Sequence, residues 1–443
     1  MDLRQPSGAI TLRIGVFFDG TGNNHGNSVV PGGAVDAGLG SYGNAPSNVA
    51  LLHGLYREGS DEPARVYFKC YVEGIGTWAG QGDSVFAQAT GRGSSGVLAR
   101  VAQAVQMIAG QMGAWLVGHP QAQVAALEFD LFGFSRGAAA ARHLANDLGK
   151  GGDSLLARTG VLGEGFDWRA GLVINFIGLF DTVAAIVEPL KGNFSPANDR
   201  YAGLQLGLAE GVARQVVQLV AADEQRHNFP LVRSDNDIVV PGAHSDVGGG
   251  YLECMTEQVL LSKPRSNLVP SRTPVEQTQA YTLTAGRLAT DPAHTSAARP
   301  HVLTWEAPVE RSDPRDEPYK RVYAAIYRER EVRGHLSRVY LRIMRELAVR
   351  AQVPFAELDE RAAAFWLPQE LQGISDKLHD FALGRSEEPG LTREQRQLLE
   401  ARYIHASAHW NALKGLRNSE LDVLYIDRPA EGGRVMHGNR GFT

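Results

Sequence analysis

Apolar positions along the chain keep two rhythms. Residues 12–18 and 172–180 are nearly continuous apolar runs, as in strands buried on both faces of a sheet, and residues 65–72 alternate and are rich in β-formers. The apolar run 125–132 and the short stretch 237–243 predict two further strands. Between them Val97, Val101, Val105, Ile108, Met112 and Leu116 recur at helical spacing, which fits a crossover helix packed on a sheet or a helix lying on a membrane. Residues 47–56, with Pro46 just before them, predict a short helix. Strands alternating with helices argue for an α/β fold with a mostly parallel central sheet flanked by helices.

Later in the chain the pattern changes. Residues 261–302 are polar and rich in Pro and Thr, and predict an extended surface excursion. Leu336, Tyr340, Ile343, Leu347 and Ala351 then mark an amphipathic helix, residues 374–383 a shorter one, and the capping box Thr392-Arg393-Glu394-Gln395 opens another through Trp410. The expected division is a core over 9–260, a surface excursion over 261–315 and additional C-terminal helices over 316–443. These helices would form a lid, a membrane dock or part of one core. Residues 27–43, 149–165 and 188–211 read as loops or irregular connections, and the tail from Asn418 is rich in Gly and Arg. No internal repeat is found.

Composition narrows the class. Of 443 residues 43% are hydrophobic and 21% charged, which excludes a disordered acidic or basic chain. The formal charge of −5 leaves no electrostatic footprint for nucleic acid. Basic residues gather over 319–350, as a solvated helix face or as a surface for anions such as phospholipid. Cys70 and Cys254 are the two cysteines, so neither a disulfide framework nor a CxxC metal site is expected, and no cofactor is called for. The first residues lack a charged region followed by an apolar one, so synthesis in the cytoplasm without a signal peptide is expected.

Candidate chemistry centres on Gly133-Phe134-Ser135-Arg136-Gly137, which follows a strand and opens onto Ala138-Ala139-Ala140-Ala141. A serine between glycines at a strand-to-helix junction is the sequence form of a nucleophile elbow, with the hydroxyl raised above a parallel sheet at a helix N-terminus. The Arg136 N–H would then be one oxyanion donor. The Asp19-Gly20-Thr21-Gly22-Asn23-Asn24 loop after the first strand is either an ordinary turn or the second half of the oxyanion hole, through an N–H near Gly20. Asp181 directly follows the buried run 172–180, level with the elbow, and His244 follows another strand on a glycine-rich loop. Ser135, Asp181 and His244 thus stand in the chain order of α/β-hydrolases. Asp246 reads as a loop-fixing acceptor for nearby N–H groups, the 223–229 cluster as an internal Arg–carboxylate pairing, and His405, on an expected helix, as a rival base.

Four motifs together resemble one family: Phe18-Asp19-Gly20-Thr21-Gly22-Asn23, Gly133-Phe134-Ser135-Arg136-Gly137-Ala138, Phe180-Asp181-Thr182-Val183, and Pro241-Gly242-Ala243-His244-Ser245-Asp246-Val247-Gly248-Gly249-Gly250-Tyr251. They look like the α/β-hydrolase domain of the bacterial type VI secretion phospholipase effectors of the first lipase-effector class. Asp223-Glu224-x-Arg226 and Tyr403-Ile404-His405-Ala406-Ser407 also fit. The resemblance implies a serine esterase of phospholipase A type acting on glycerophospholipids, with Ser135 as nucleophile, His244 as base and Asp181 orienting the imidazole. It also implies export to a rival cell's periplasm, a membrane surface as target, a cognate immunity protein and a needle-tip partner. Two other readings stay open: an intracellular carboxylesterase or lipase acting on a non-membrane ester, and an inert hydrolase-fold interaction protein.

Overall fold

The computed structural model describes residues 8–21, 44–62, 64–74, 96–184, 203–290, 299–309, 317–412 and 425–440. The loops expected at 22–24, 27–43, 75–77 and 188–202, and the start of the tail at 418–424, lie outside these residues.

The apolar runs become β1 (Ala9–Phe18), β3 (Arg65–Val72), β4 (Gln123–Phe134), β5 (Leu172–Phe180), β6 (Gln215–Ala221) and β8 (Asp237–Val240), joined with the polar edge strand β2 (Gly59–Glu62) as one seven-stranded sheet. Its order is β2-β3-β1-β4-β5-β6-β8, and every pair is parallel except the edge pair β2–β3. β7 (Leu231–Val232) pairs outside this sheet. The apolar segment after residue 212 supplies β6, placed between β5 and β8.

Helices α1 (Asn48–Leu55), α2 (Val97–Gly118), α3 (Arg136–Leu148) and the short α4 (His244–Gly248) follow β1, β3, β4 and β8. Both sheet faces are covered, so both carry apolar side chains, and the period of two along each strand sorts them into two cores. Leu12, Ile14 and Val16 of β1 and Leu127, Phe129 and Leu131 of β4 face α2 and α3, and the stripe Val97, Val101, Val105, Ile108 and Met112 packs there. α2 is therefore a crossover helix. The opposite face is aromatic, with Phe17, Phe132, Phe134, Phe176 and Phe180 buried. Phe17 and Phe132 stack there at 5.0 Å.

The second half departs from expectation. Residues 255–332 build an antiparallel sheet from β9 (Met255–Leu260), β10 (Arg265–Pro270), β11 (His301–Pro308) and the long β12 (Tyr319–Val332), with helix α5 (Gln279–Thr290) against it. The excursion expected over 261–302 therefore carries regular structure, and the helical region expected from 316 begins with a strand. Polar residues on the exposed faces of β10 and β11 hide the period of two, and arginines flank the buried Val322–Ile326 part of β12. Helices α6 (Leu336–Arg350) and α7 (Gln369–Ala382) bury Leu336, Tyr340, Ile343, Leu371 and Ile374 in the aromatic core, and α8 (Arg393–Arg402) adds Leu399.

Candidate active site

Ser135 alone links β4 to α3, with φ 59° and ψ −125°. That backbone region strongly favours glycine, so a serine there is held by its surroundings at a cost of about 1–3 kcal/mol. Among the described residues only Ser135, Asp181 and Gln352 combine a positive φ with a side chain. Two of those three are predicted site residues.

The glycines of the elbow are needed for close approach. A Cβ on Gly133 would lie 2.5 Å from Gly137 O, and one on Gly137 would lie 2.3 Å from Phe18 O and 2.4 Å from Asp19 O. The end of β1 thus rests directly on the first turn of α3, beside the nucleophile. Arg136 opens that helix, where the dipole is positive and N–H groups lack intrahelical acceptors. Burial brings its guanidinium down to about 10. The Gly20 N–H is engaged differently from the oxyanion role expected of it: it donates to Asp19 Oδ1 at 2.6 Å, while Asp19 Oδ2 accepts from Tyr71 Oη at 2.5 Å. As the loop stands, Asp19 occupies that donor.

Parallel pairing brings the acid to the serine. Phe134 is in register with Phe180, the Ser135 N–H donates to Phe180 O at 3.0 Å, and the Val183 N–H donates to Ser135 O at 3.3 Å. Asp181 therefore sits between two backbone bonds to Ser135. Its carboxylate is fully occupied. Oδ2 meets His244 Nδ1 at 2.5 Å, and Oδ1 accepts the Ala221 N–H at 3.0 Å. Arg434 donates to both oxygens, at 2.7 and 2.8 Å. Burial alone would raise this acid, but the Arg434 guanidinium and the His244 imidazole outweigh it and hold the carboxyl well below the usual range.

His244 opens α4 and is 3% exposed, so the glycine-rich loop expected around it begins instead as a pinned helix. Its N–H donates to Glu224 Oε2 at 3.3 Å, and its ring lies 4.6 Å from Phe134 and 4.8 Å from Phe229. Contact with Phe134, the residue before Ser135, sets the imidazole beside the elbow. No hydrogen bond is recorded between the Ser135 hydroxyl and that ring among the described residues. Burial depresses the His244 pKa, against the raising effect of Asp181. The 223–229 cluster forms the expected pair, Glu224 with Arg226 at 2.8 Å, which holds the Glu224 carboxyl at about 2 despite burial.

His405 belongs elsewhere. The helix expected to run through Trp410 ends at Arg402, and His405 lies in the irregular segment beyond it, with Nδ1 2.6 Å from Asp246 Oδ1 and its ring stacked on Tyr251 at 3.7 Å. Asp246 also accepts the Ala243 and His405 N–H groups, both at 2.9 Å. It is the loop-fixing acceptor expected, with a distant partner added. Histidine 244, and not 405, faces Asp181.

The cations of 319–350 are mostly engaged. Lys320, Arg328, Arg330, Arg333, Arg338, Arg342 and Arg350 each lie within ion-pair distance of a glutamate. Among the described residues no group of three or more His, Cys, Asp or Glu side chains is placed to hold a metal, and no helix is long and apolar enough to cross a membrane. Sequence reasoning missed Arg434, Phe229 and the Asp246–His405 link. The first lies in a Gly- and Arg-rich stretch with no periodicity, and the other two are contacts between residues far apart in sequence.

Residues 164–269, which contain Asp181 and His244, match the family described as type VI secretion phospholipase effector Tle1-like, catalytic domain. A solved structure of the Tle1 effector bound to the VgrG spike of the type VI secretion system aligns with a TM-score of 0.77 at 26% identity, over 98% of this chain and 95% of that one. A crystal structure of an uncharacterized protein from Pseudomonas aeruginosa aligns with a TM-score of 0.42 at 19% identity, over 86% of this chain and 52% of that one. A search of curated protein sequences returned no match.

Proposed function

We propose, from the premise that this chain is one of the Tle1-like type VI secretion phospholipase effectors, that it is a serine ester hydrolase cleaving acyl esters of glycerophospholipids. The observation that carries this reading is the Asp181–His244 hydrogen bond beside a serine held in a strained backbone at a helix N-terminus.

In this mechanism the Asp181 carboxylate fixes the His244 tautomer with the proton on Nδ1, leaving Nε2 to accept the Ser135 proton as the hydroxyl attacks the ester carbonyl. The oxyanion forms at the N-terminus of α3, where the Arg136 N–H and the helix dipole stabilise it. A second donor from the Gly20 loop requires the Gly20 N–H to leave Asp19. His244 then protonates the departing alkoxide, and water hydrolyses the acyl-enzyme with the same imidazole as base. Every protein group in these steps belongs to this chain.

The related Tle1 effector was solved on a VgrG spike, and a likeness over 98% of this chain supports the same class of carrier here. Delivery to a rival's periplasm, a membrane surface as target and a cognate immunity protein complete the proposed role. The test is lipid product analysis on mixed phospholipid vesicles with the intact protein and Ser135→Ala. Free fatty acid and lysophospholipid from the first and neither from the second are expected, whereas released head group, or product from both, would sink the reading. The engagement of cations over 319–350 by glutamates favours one alternative, a carboxylesterase acting on non-membrane esters. That enzyme would turn over short-chain nitrophenyl esters and ignore vesicles.

A further inference from the structure

The 425–440 segment runs along residues 225–233. His227 N–H donates to Arg428 O at 3.0 Å, Ala430 N–H to Gln225 O at 2.8 Å, Leu231 N–H to Val435 O and Arg233 N–H to His437 O, both at 2.9 Å. β13 (Met436–His437) pairs in parallel with β7, and Asn439 bonds Leu208 through both its N–H and C=O groups. From this ladder Arg434 reaches inward. Its side chain is 8% exposed, and each of its three nitrogens donates: to Asp181 Oδ1 at 2.7 Å, Asp181 Oδ2 at 2.8 Å and Phe229 O at 2.7 Å. One planar fork therefore grips the acid that orients His244 and the backbone of the residue whose ring packs edge-on against the same imidazole.

We propose that Arg434 is a positioning residue for the reaction of Ser135, and that the 425–440 segment completes the site by carrying it. This rests on the serine-hydrolase reading above. A carboxylate that bonds an imidazole at one oxygen can swing about its Cα–Cβ and Cβ–Cγ bonds. The bidentate guanidinium removes that freedom, leaving Oδ2 fixed for the His244 Nδ1 proton. Among the described residues the remaining donor to this carboxylate, the Ala221 N–H, holds Oδ1 alone. The charged groups facing His244 are Asp181 from the end of β5, Glu224 and Arg226 from the turn after β6, and Arg434 from the segment. Removing Arg434 leaves two carboxylates against one cation, which favours the imidazolium.

The test compares wild type, Arg434→Ala, Arg434→Lys and Ser135→Ala on a short-chain nitrophenyl ester, at temperatures where each is folded by circular dichroism. Misplaced orientation predicts that Arg434→Ala lowers kcat about ten- to a hundredfold with KM changed about twofold or less. The acid limb of its kcat/KM profile moves to higher pH, and millimolar guanidinium restores part of kcat to it and none to Ser135→Ala. Arg434→Lys, which keeps the charge and loses the fork, is expected to regain the acid limb more fully than kcat. The downfield proton resonance of His244 Nδ1–H, identified by its loss in His244→Gln, gives a readout independent of turnover, and should broaden or shift in Arg434→Ala. Wild-type kcat, acid limb and resonance in folded Arg434→Ala, or in Arg434→Lys should the alanine variant not fold, would overturn the proposal. Loss of the resonance in a protein whose wild type neither hydrolyses esters nor reacts with a fluorophosphonate at Ser135 would instead keep the positioning role and remove the hydrolase reading.

Discussion

Ser135 occupies a backbone region that side chains avoid, and that strain is recoverable. Replacing it with glycine relieves about 1–3 kcal/mol of native-state strain, set against about 0.4–1 kcal/mol of added unfolded-state entropy. Ser135→Gly is thus expected to abolish turnover and raise stability by about 1 kcal/mol, and Ser135→Ala to abolish turnover with no such gain. Urea melts of the three proteins check this, and a glycine variant less stable than the alanine one would contradict it. The His244 pKa, lowered by burial, belongs to the same scale. A base must be neutral to accept the serine proton, so the acid limb of kcat/KM is expected below the free-imidazole value of about 6.5. A limb at or above that value would show the ring to be solvated or more strongly coupled to Asp181. The elbow was legible in sequence because its conformation is local: glycines at 133 and 137 admit the backbone of Ala138 and of Phe18 and Asp19. What Gly20 donates to was not legible, since two readings of one turn differ only by the direction of an N–H.

Among elements, α4 shows how a five-residue helix can hold the proposed base, His244, in place. Its start is fixed by Asp246, whose carboxylate also holds His405 through side chain and backbone. Cutting that link removes a buried hydrogen bond to a carboxylate, worth about 1.5–3 kcal/mol. His405→Ala is therefore expected to lower stability by about 2 kcal/mol yet keep ester turnover at temperatures where it is folded, whereas His244→Ala, which cuts a buried bond of the same kind to Asp181, loses turnover even where it is folded. The opposite pattern would make His405 the base. Strands β1, β4 and β5 could be read from sequence because two covered faces demand nearly continuous apolar runs, and β3 because it alternates. β10 and β11 could not, since each leaves polar residues on an open face and finds its partner in β12, about fifty and about ten residues further on. The Asp246–His405 link, whose ends stand 159 positions apart, leaves no trace in local pattern.

At the scale of the whole molecule, several buried groups carry depressed pKa values, and the fold is tied to pH through them. Burial, helped by the Arg338 charge, pushes His335 down to about 4, and His244 is lowered too. Between about 6.5 and 4 the unfolded chain binds protons on these rings that the folded chain refuses, so stability falls as pH falls through that window. Asp181 and Glu224 are depressed as well, and their contribution, present above the unfolded carboxylate range, is lost as pH drops below it. Thermal melts are expected to show Tm declining from pH 7 to 5 and more steeply below 4, with His335→Phe flattening the first part. A Tm that held steady from pH 7 to 4 would contradict this. The placement of Arg434 has a consequence for the order in which the polypeptide is made. A ribosome delivers Ser135, Asp181 and His244 long before the guanidinium that grips the acid, so on the function proposed above a half-synthesised copy would hold nucleophile, acid and base without the means to align them.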